Sequence, residues 1–115
     1  MNVTIYHNPR CSKSRQTLDL IQSRGIEPAV VEYLKAPPNE TMLRSLIQAL
    51  GIEPRALLRK GESAYKDLGL DDLSLSDDAL IKAMLDHPVL IERPIVTHGD
   101  RAVIGRPPES VLSIL

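Results

Sequence analysis

The sequence predicts an α/β fold with a mixed sheet. Three observations predict it. The first 33 residues run strand, helix, strand. The middle, from about residue 39 to residue 87, is helical in pattern. Two short β-branched runs and a last helix then close the chain. A strand, a crossover helix and a second strand make a parallel βαβ unit, and two runs joined by a tight turn make a hairpin, so the sheet must contain both directions.

Asn2 to Tyr6 is the first strand, with Val3 and Ile5 apolar, and Asn8-Pro9 ends it. Ser12 to Arg24 has helical spacing, with Thr17, Leu18 and Ile21 on one face and Leu20 alongside, and Gly25 is a natural stop. Ala29 to Tyr33 is the second strand. Pro37-Pro38 ends it, and Asn39 is a good N-cap for a helix carrying Met42, Leu43, Leu46, Ile47 and Leu50, closed by Gly51. Short helices are expected over Pro54–Lys60 and Glu62–Leu68. Ser76 caps another helix whose first turn holds Asp77 and Asp78, where acids suit the helix dipole. Leu80, Ile81, Met84 and Leu85 form its apolar face, and His87-Pro88 stops it. Ile95–Thr97 and Ala102–Ile104 are short strands joined by a four-residue turn, His98 to Arg101. Pro108 suits the first position of a last helix over Glu109–Ile114.

A chain of 115 residues is one domain by length, with a helical middle over about residues 39–87. It is long enough to bury about 65% of its unfolded surface. It has no Trp and no Phe, so Leu, Ile and Val must build the core. A net charge of −1 and the lack of aromatic platforms argue against nucleic-acid binding. No apolar stretch approaches the roughly 18 residues of a membrane helix, and no secretory signal pattern opens the chain. A cytoplasmic protein is expected.

The single cysteine, Cys11, lies in Tyr6-His7-Asn8-Pro9-Arg10-Cys11-Ser12-Lys13-Ser14-Arg15, with no acid before Asp19. It follows a strand and opens a helix. Helix N-termini present unpaired N–H groups and a positive dipole end, which favour a thiolate and also bind oxyanions. The alternative is a buried structural cysteine, and Arg10 and Lys13 on either side argue against deep burial. One cysteine makes no internal disulfide.

A second constellation comes from the hairpin. With the turn at residues 98–101, Thr97 pairs with Ala102 and Ile95 with Ile104. Continued, that register sets Arg93 opposite Arg106 on one face. Opposed residues have Cβ atoms roughly 5 Å apart, where like charges are destabilising, so the pair calls for an acid or an anion between them; an extended strand turns Glu92 to the other face, which suggests an oxyanion. The alternative is two solvated arginines at a frayed hairpin end. Each precedes a proline and is biased to extended backbone, and Pro94 is a candidate for a cis bond. His7, four residues before Cys11, is placed to act on the thiolate electrostatically or is an ordinary loop histidine. Ser14, one turn into the helix, is placed to hydrogen-bond the sulfur or is an ordinary first-turn serine. Nothing in the local pattern separates Arg59 from a surface charge. His87, His98 and the acids lack metal-ligand spacing, so no metal is expected, and Asp71-Asp72 is read as a solvated loop.

Four segments together resemble the glutaredoxin-coupled arsenate reductase family, and its compact members in particular. They are Tyr-His-Asn-Pro-Arg-Cys-Ser-Lys-Ser-Arg at residues 6–15, Arg-Ala-Leu-Leu-Arg at 55–59, Glu-Arg-Pro-Ile-Val at 92–96 and Ile-Gly-Arg-Pro-Pro-Glu at 104–109. The resemblance implies a thioredoxin-like fold, βαβ then ββα, with a helical insertion. It implies that Cys11 is the nucleophile and that Arg59, Arg93 and Arg106 bind the oxyanion. His7 matches the residue that lowers the cysteine pKa, Ser14 one near the thiolate, and Pro94 the cis-proline of the fold. It further implies glutathione as co-substrate, glutaredoxin as partner, a covalent thiolate–arsenic intermediate and no bound cofactor. A related branch of the fold comprises redox-sensing regulators that bind RNA polymerase and commonly carry Cys-x-x-Cys, where this chain has Ser14 in the fourth position, in place of the second cysteine. A one-thiol glutathione-dependent disulfide reductase is a further alternative, and it leaves the arginines unexplained.

Overall fold

The computed structural model describes residues 2–115. They divide into two compact units, one formed by Pro37–Glu92 and the other by the segments up to Ala36 and from Arg93 onward.

The second of these holds a four-stranded sheet. Its strands are β1 (Val3–His7), β2 (Ala29–Glu32), β3 (Ile95–His98) and β4 (Arg101–Ile104), in the order β2-β1-β3-β4. β1 pairs parallel with β2, with Ile5 beside Val30, and antiparallel with β3, with Ile5 beside Val96. The mixed sheet expected from the order of elements is therefore present. Helix α1 (Ser12–Ser23) crosses between β1 and β2. It packs on β1 and on a 3-10 turn at Pro108–Ser113, which stands where an α-helix is expected over Glu109–Ile114. Val3, Ile5, Ile21, Val96, Val111 and Ile114 form the core of this unit, and Leu18 and Leu20 are only partly buried against it. The buried stripe of α1 is Ser14, Thr17 and Ile21, so two of its three members are polar.

The hairpin has the expected register, Ile95 with Ile104 and Thr97 with Ala102. His98 also pairs with Arg101, so the turn is two residues, Gly99-Asp100, rather than four. Gly99 has φ +66°, a left-handed value that glycine adopts without a Cβ clash.

The other unit is helical. Helix α2 (Glu40–Leu50) starts at Asn39, whose Oδ1 accepts from the Met42 N–H at 2.8 Å, and ends at Gly51 in the left-handed region. Helix α3 (Ser63–Asp67) is one short turn around the buried Tyr65. Helix α4 (Asp77–Asp86) starts at Ser76, whose Oγ accepts from the Ala79 N–H, and buries Leu80, Ile81 and Met84. α2 packs on α4, as do 3-10 turns at Pro54–Leu57 and Pro88–Leu90. The expected Pro54–Lys60 helix is cut short because Leu58 turns extended and forms a bridge with Ile91. Met42, counted with the apolar repeat of α2, is exposed, and Leu43, Leu46 and Ile47 carry the packing.

Candidate active site

Cys11 sits at the N-cap of α1 with extended backbone, φ −95° and ψ 124°. Asn8-Pro9 breaks β1, and the chain turns there. The Asn8 carbonyl accepts from the Cys11 N–H at 3.0 Å, and the Asn8 Oδ1 accepts from the Arg10 N–H at 3.0 Å. This turn swings the thiol from the end of the strand onto the start of the helix. No side chain caps α1, and its first turn holds no acid. The positive end of the helix therefore lies beside Cys11 without a competing first-turn carboxylate.

The cysteine is 8% exposed, more covered than its flanking charges suggest. Arg10 and Lys13 point to solvent instead. Their exposure does not govern that of Cys11, because an N-cap residue and its neighbours leave the helix axis in different directions.

Arg106 reaches this sulfur. Its Nη2 lies 3.6 Å from the Cys11 Sγ, and its Nε donates to the Arg93 carbonyl at 2.8 Å. Arg93 and Arg106 are thus brought together, but not as the directly opposed side chains of a continuing ladder. The ladder goes one step past β4, where the Gly105 N–H donates to the Pro94 carbonyl at 2.9 Å. The Arg106 N–H then turns back to the Ile104 carbonyl at 2.9 Å. Pro94 and Pro107 have no N–H with which to extend the pairing, and both Arg–Pro bonds are cis.

His7 and Ser14, which bracket Cys11 in the chain, form a pair. His7 Nδ1 is 2.6 Å from the Ser14 Oγ, which also accepts from the Asn8 N–H at 3.0 Å. His7 is 6% exposed and Ser14 fully buried. Burial holds the His7 pKa below its ordinary value; the Glu32 carboxylate opposes this shift and the Arg15 charge adds to it. At neutral pH His7 is therefore an uncharged imidazole. Its visible contact is with Ser14, and through Ser14 with the backbone of the loop carrying Cys11.

That shift has a consequence for stability. The unfolded chain takes up the His7 proton first as pH falls through about 6.5, while the folded chain resists it. The contribution is full above that pH and is lost as pH falls through the lower folded value. His7→Asn, which can still reach the Ser14 hydroxyl, is expected to flatten the decline of the urea midpoint below pH 6.5. Equal slopes for variant and wild type would remove His7 as the cause.

Arg59 belongs to the helical unit. The Leu58–Ile91 bridge fixes its backbone, with the Arg59 N–H donating to the Leu90 carbonyl and the Glu92 N–H to the Leu57 carbonyl, both at 2.8 Å. Its Nη1 donates to Glu62, and its Nε lies 3.7 Å from the Glu92 Oε1. Sequence reasoning missed both carboxylates, although Glu62 stands three residues from Arg59 at ion-pair spacing. It read the Asn8-Pro9 break but not the Asn8 hydrogen bonds that close the turn. Among the described residues no group of three or more His, Cys, Asp or Glu is placed to hold a metal ion, and no helix is long and apolar enough to cross a membrane.

Comparisons with known proteins show the family to which the chain belongs. The pattern of the ArsC family matches residues 6–114. The Escherichia coli K12 protein named uncharacterized protein YfgD is 55% identical over 98% of this chain and 96% of its own. An arsenate reductase of Haemophilus influenzae is 51% identical over the whole of both chains. The solved structure of an arsenate reductase from Vibrio cholerae superposes with a TM-score of 0.97 at 55% identity, covering all of this chain and 98% of that one. The fold is the thioredoxin-like α/β arrangement of these structures, and the chain belongs to the ArsC family.

Proposed function

We propose that this protein reduces arsenate to arsenite with glutathione and glutaredoxin, using Cys11 as the nucleophile. The observation that carries the reading is the Arg106 guanidinium 3.6 Å from the Cys11 sulfur, at the uncapped N-terminus of α1. A tetrahedral oxyanion meets a positive helix end, a forked donor and a sulfur nucleophile in one place. The relatives named arsenate reductase support arsenic as the central atom. Arg93 and Arg59 are assigned to the same oxyanion from the family's motifs, and Ser14 and His7 to holding the Cys11 loop.

The steps balance with one protein thiol. The Cys11 thiolate bonds to arsenic and displaces an oxygen, which leaves as water after protonation. A glutathione thiol displaces a second oxygen in the same way. The glutaredoxin thiolate then attacks the glutathione sulfur. A sulfur–sulfur bond forms, the arsenic–sulfur electron pair stays on arsenic, and As(V) becomes As(III). Water cleaves the remaining Cys11–arsenic bond, releasing arsenite and the free thiol. A second glutathione reduces the mixed disulfide. The chain has one cysteine, so the second thiol must come from outside, and a reducing cytoplasm supplies it.

An assay coupling glutathione disulfide reduction to NADPH consumption tests this. Arsenate-dependent turnover is expected, and omitting glutathione or glutaredoxin is expected to stop it. Absence of arsenate-dependent turnover, in protein whose Cys11 is still alkylated by iodoacetamide, would overturn the assignment.

A further inference from the structure

Thr17 is fully buried in α1, and Gly105 is buried between β4 and Arg106. The Thr17 hydroxyl donates to the Lys13 carbonyl at 2.8 Å and lies 3.3 Å from the Gly105 carbonyl. A Cβ placed on Gly105 would stand 2.6 Å from the Thr17 Oγ1, 2.9 Å from its Cγ2 and 2.9 Å from the Pro94 Cγ. No heavy atom tolerates such approaches, so neighbours would have to move. Gly105 is not among the positive-φ glycines of the chain. Space, not backbone conformation, is what requires glycine there.

The contact joins the two halves of the site. Thr17 stands six residues beyond Cys11 along one rigid helix, about 9 Å by helical rise. On the other side, Gly105 is bonded through its N–H to Pro94 and is followed directly by Arg106. Pushing Gly105 away from Thr17 therefore pushes Arg106 away from the Cys11 sulfur. We infer that Thr17 and Gly105 are positioning residues that set the gap between the Cys11 sulfur and the Arg106 guanidinium, and so how tightly the site holds an oxyanion. This rests on the oxyanion reading of the site.

The test is protection of Cys11 from iodoacetamide by increasing arsenate, read as the concentration giving half-protection. Gly105→Ala is expected to raise that concentration about tenfold, since the lost contact is a charge-assisted one. Adding Thr17→Ala removes the Oγ1 and Cγ2 that the new methyl meets, so Gly105→Ala/Thr17→Ala is expected to fall between Gly105→Ala and wild type. Thr17→Val keeps the volume and loses the hydroxyl. It is expected to raise half-protection by roughly threefold, and it decides the matter if Gly105→Ala does not fold. A purely structural role would lower the melting temperature and leave half-protection of the folded protein unmoved. Half-protection within about twofold of wild type in whichever of Gly105→Ala and Thr17→Val folds, with wild type protected, overturns the positioning role alone. Failure of arsenate to protect wild type overturns the oxyanion reading and the positioning role with it.

Discussion

Cys11→Ser is expected to remove arsenate reduction, by on the order of 10³-fold or more in kcat, while leaving the fold intact. The substitution separates chemistry from structure because of where Cys11 sits. At the N-cap of α1 the native thiol makes no capping hydrogen bond. A serine hydroxyl is among the best N-caps, so the variant gains up to about 1 kcal/mol of helix stability if the hydroxyl reaches a first-turn N–H. The oxyanion donors, meanwhile, are untouched: Arg106 keeps its bond to the Arg93 carbonyl, and the α1 N–H groups remain. Serine nevertheless has no accessible anion near neutral pH and forms no sulfur–arsenic adduct on which glutathione could displace the second oxygen. Turnover in the coupled assay should fall to background, and equilibrium titration with arsenate should still register binding. Turnover retained by Cys11→Ser would sink the covalent mechanism. An unfolded variant is excluded by circular dichroism before the kinetics are read.

The sequence pattern reached this site unevenly, and the reasons are physical. Cys11 was legible because its signal is local: a strand, an Asn-Pro break, a basic loop and a helix start all lie within fifteen residues. The hairpin register was legible because β-branched runs alternate and the pairing follows from the turn, and Ile95 does meet Ile104. What happens beyond Ile104 was not legible. Two Arg–Pro steps end the ladder, and the Arg106 side chain then folds onto the Arg93 carbonyl, a detail that side-chain alternation does not encode. Burial was misjudged at Cys11, where the charges on either side argued against a covered thiol; Arg10 and Lys13 turn to solvent and leave Cys11 buried. Short helices were also over-read. Pro108–Ser113 has an N-terminal proline and apolar spacing, yet six residues are too few for α-helical hydrogen bonding to outweigh local packing, and a 3-10 turn results. For Arg59 only half the signal was local: Glu62 stands three residues on, while the other carboxylate, Glu92, lies a long way along the chain.

Arg106→Ala is expected to lower kcat/KM for arsenate by about 10- to 100-fold, the range for losing a hydrogen bond from a charged donor. The side chain is exposed and packs no core, so the melting temperature should stay close to wild type. Arg106→Lys sharpens the test. The native guanidinium is used at both edges, Nε on the Arg93 carbonyl and Nη2 at the sulfur. A planar fork bonded at one edge holds the other edge in place. An ammonium is a single point with three donors and cannot be braced on the Arg93 carbonyl while reaching the same distance past it. The lysine variant keeps the charge and loses the bracing, so its kcat/KM should lie nearer that of Arg106→Ala than that of wild type. Salt separates the two contributions. The long-range attraction of an exposed cation is screened as ionic strength rises, while a short directed hydrogen bond is much less so. Wild type and Arg106→Lys should therefore lose arsenate affinity with added salt at similar slopes, and Arg106→Ala at a shallower one. Wild-type kinetics in both variants would return Arg106 to an ordinary surface charge and leave the helix N-terminus as the anion's main support.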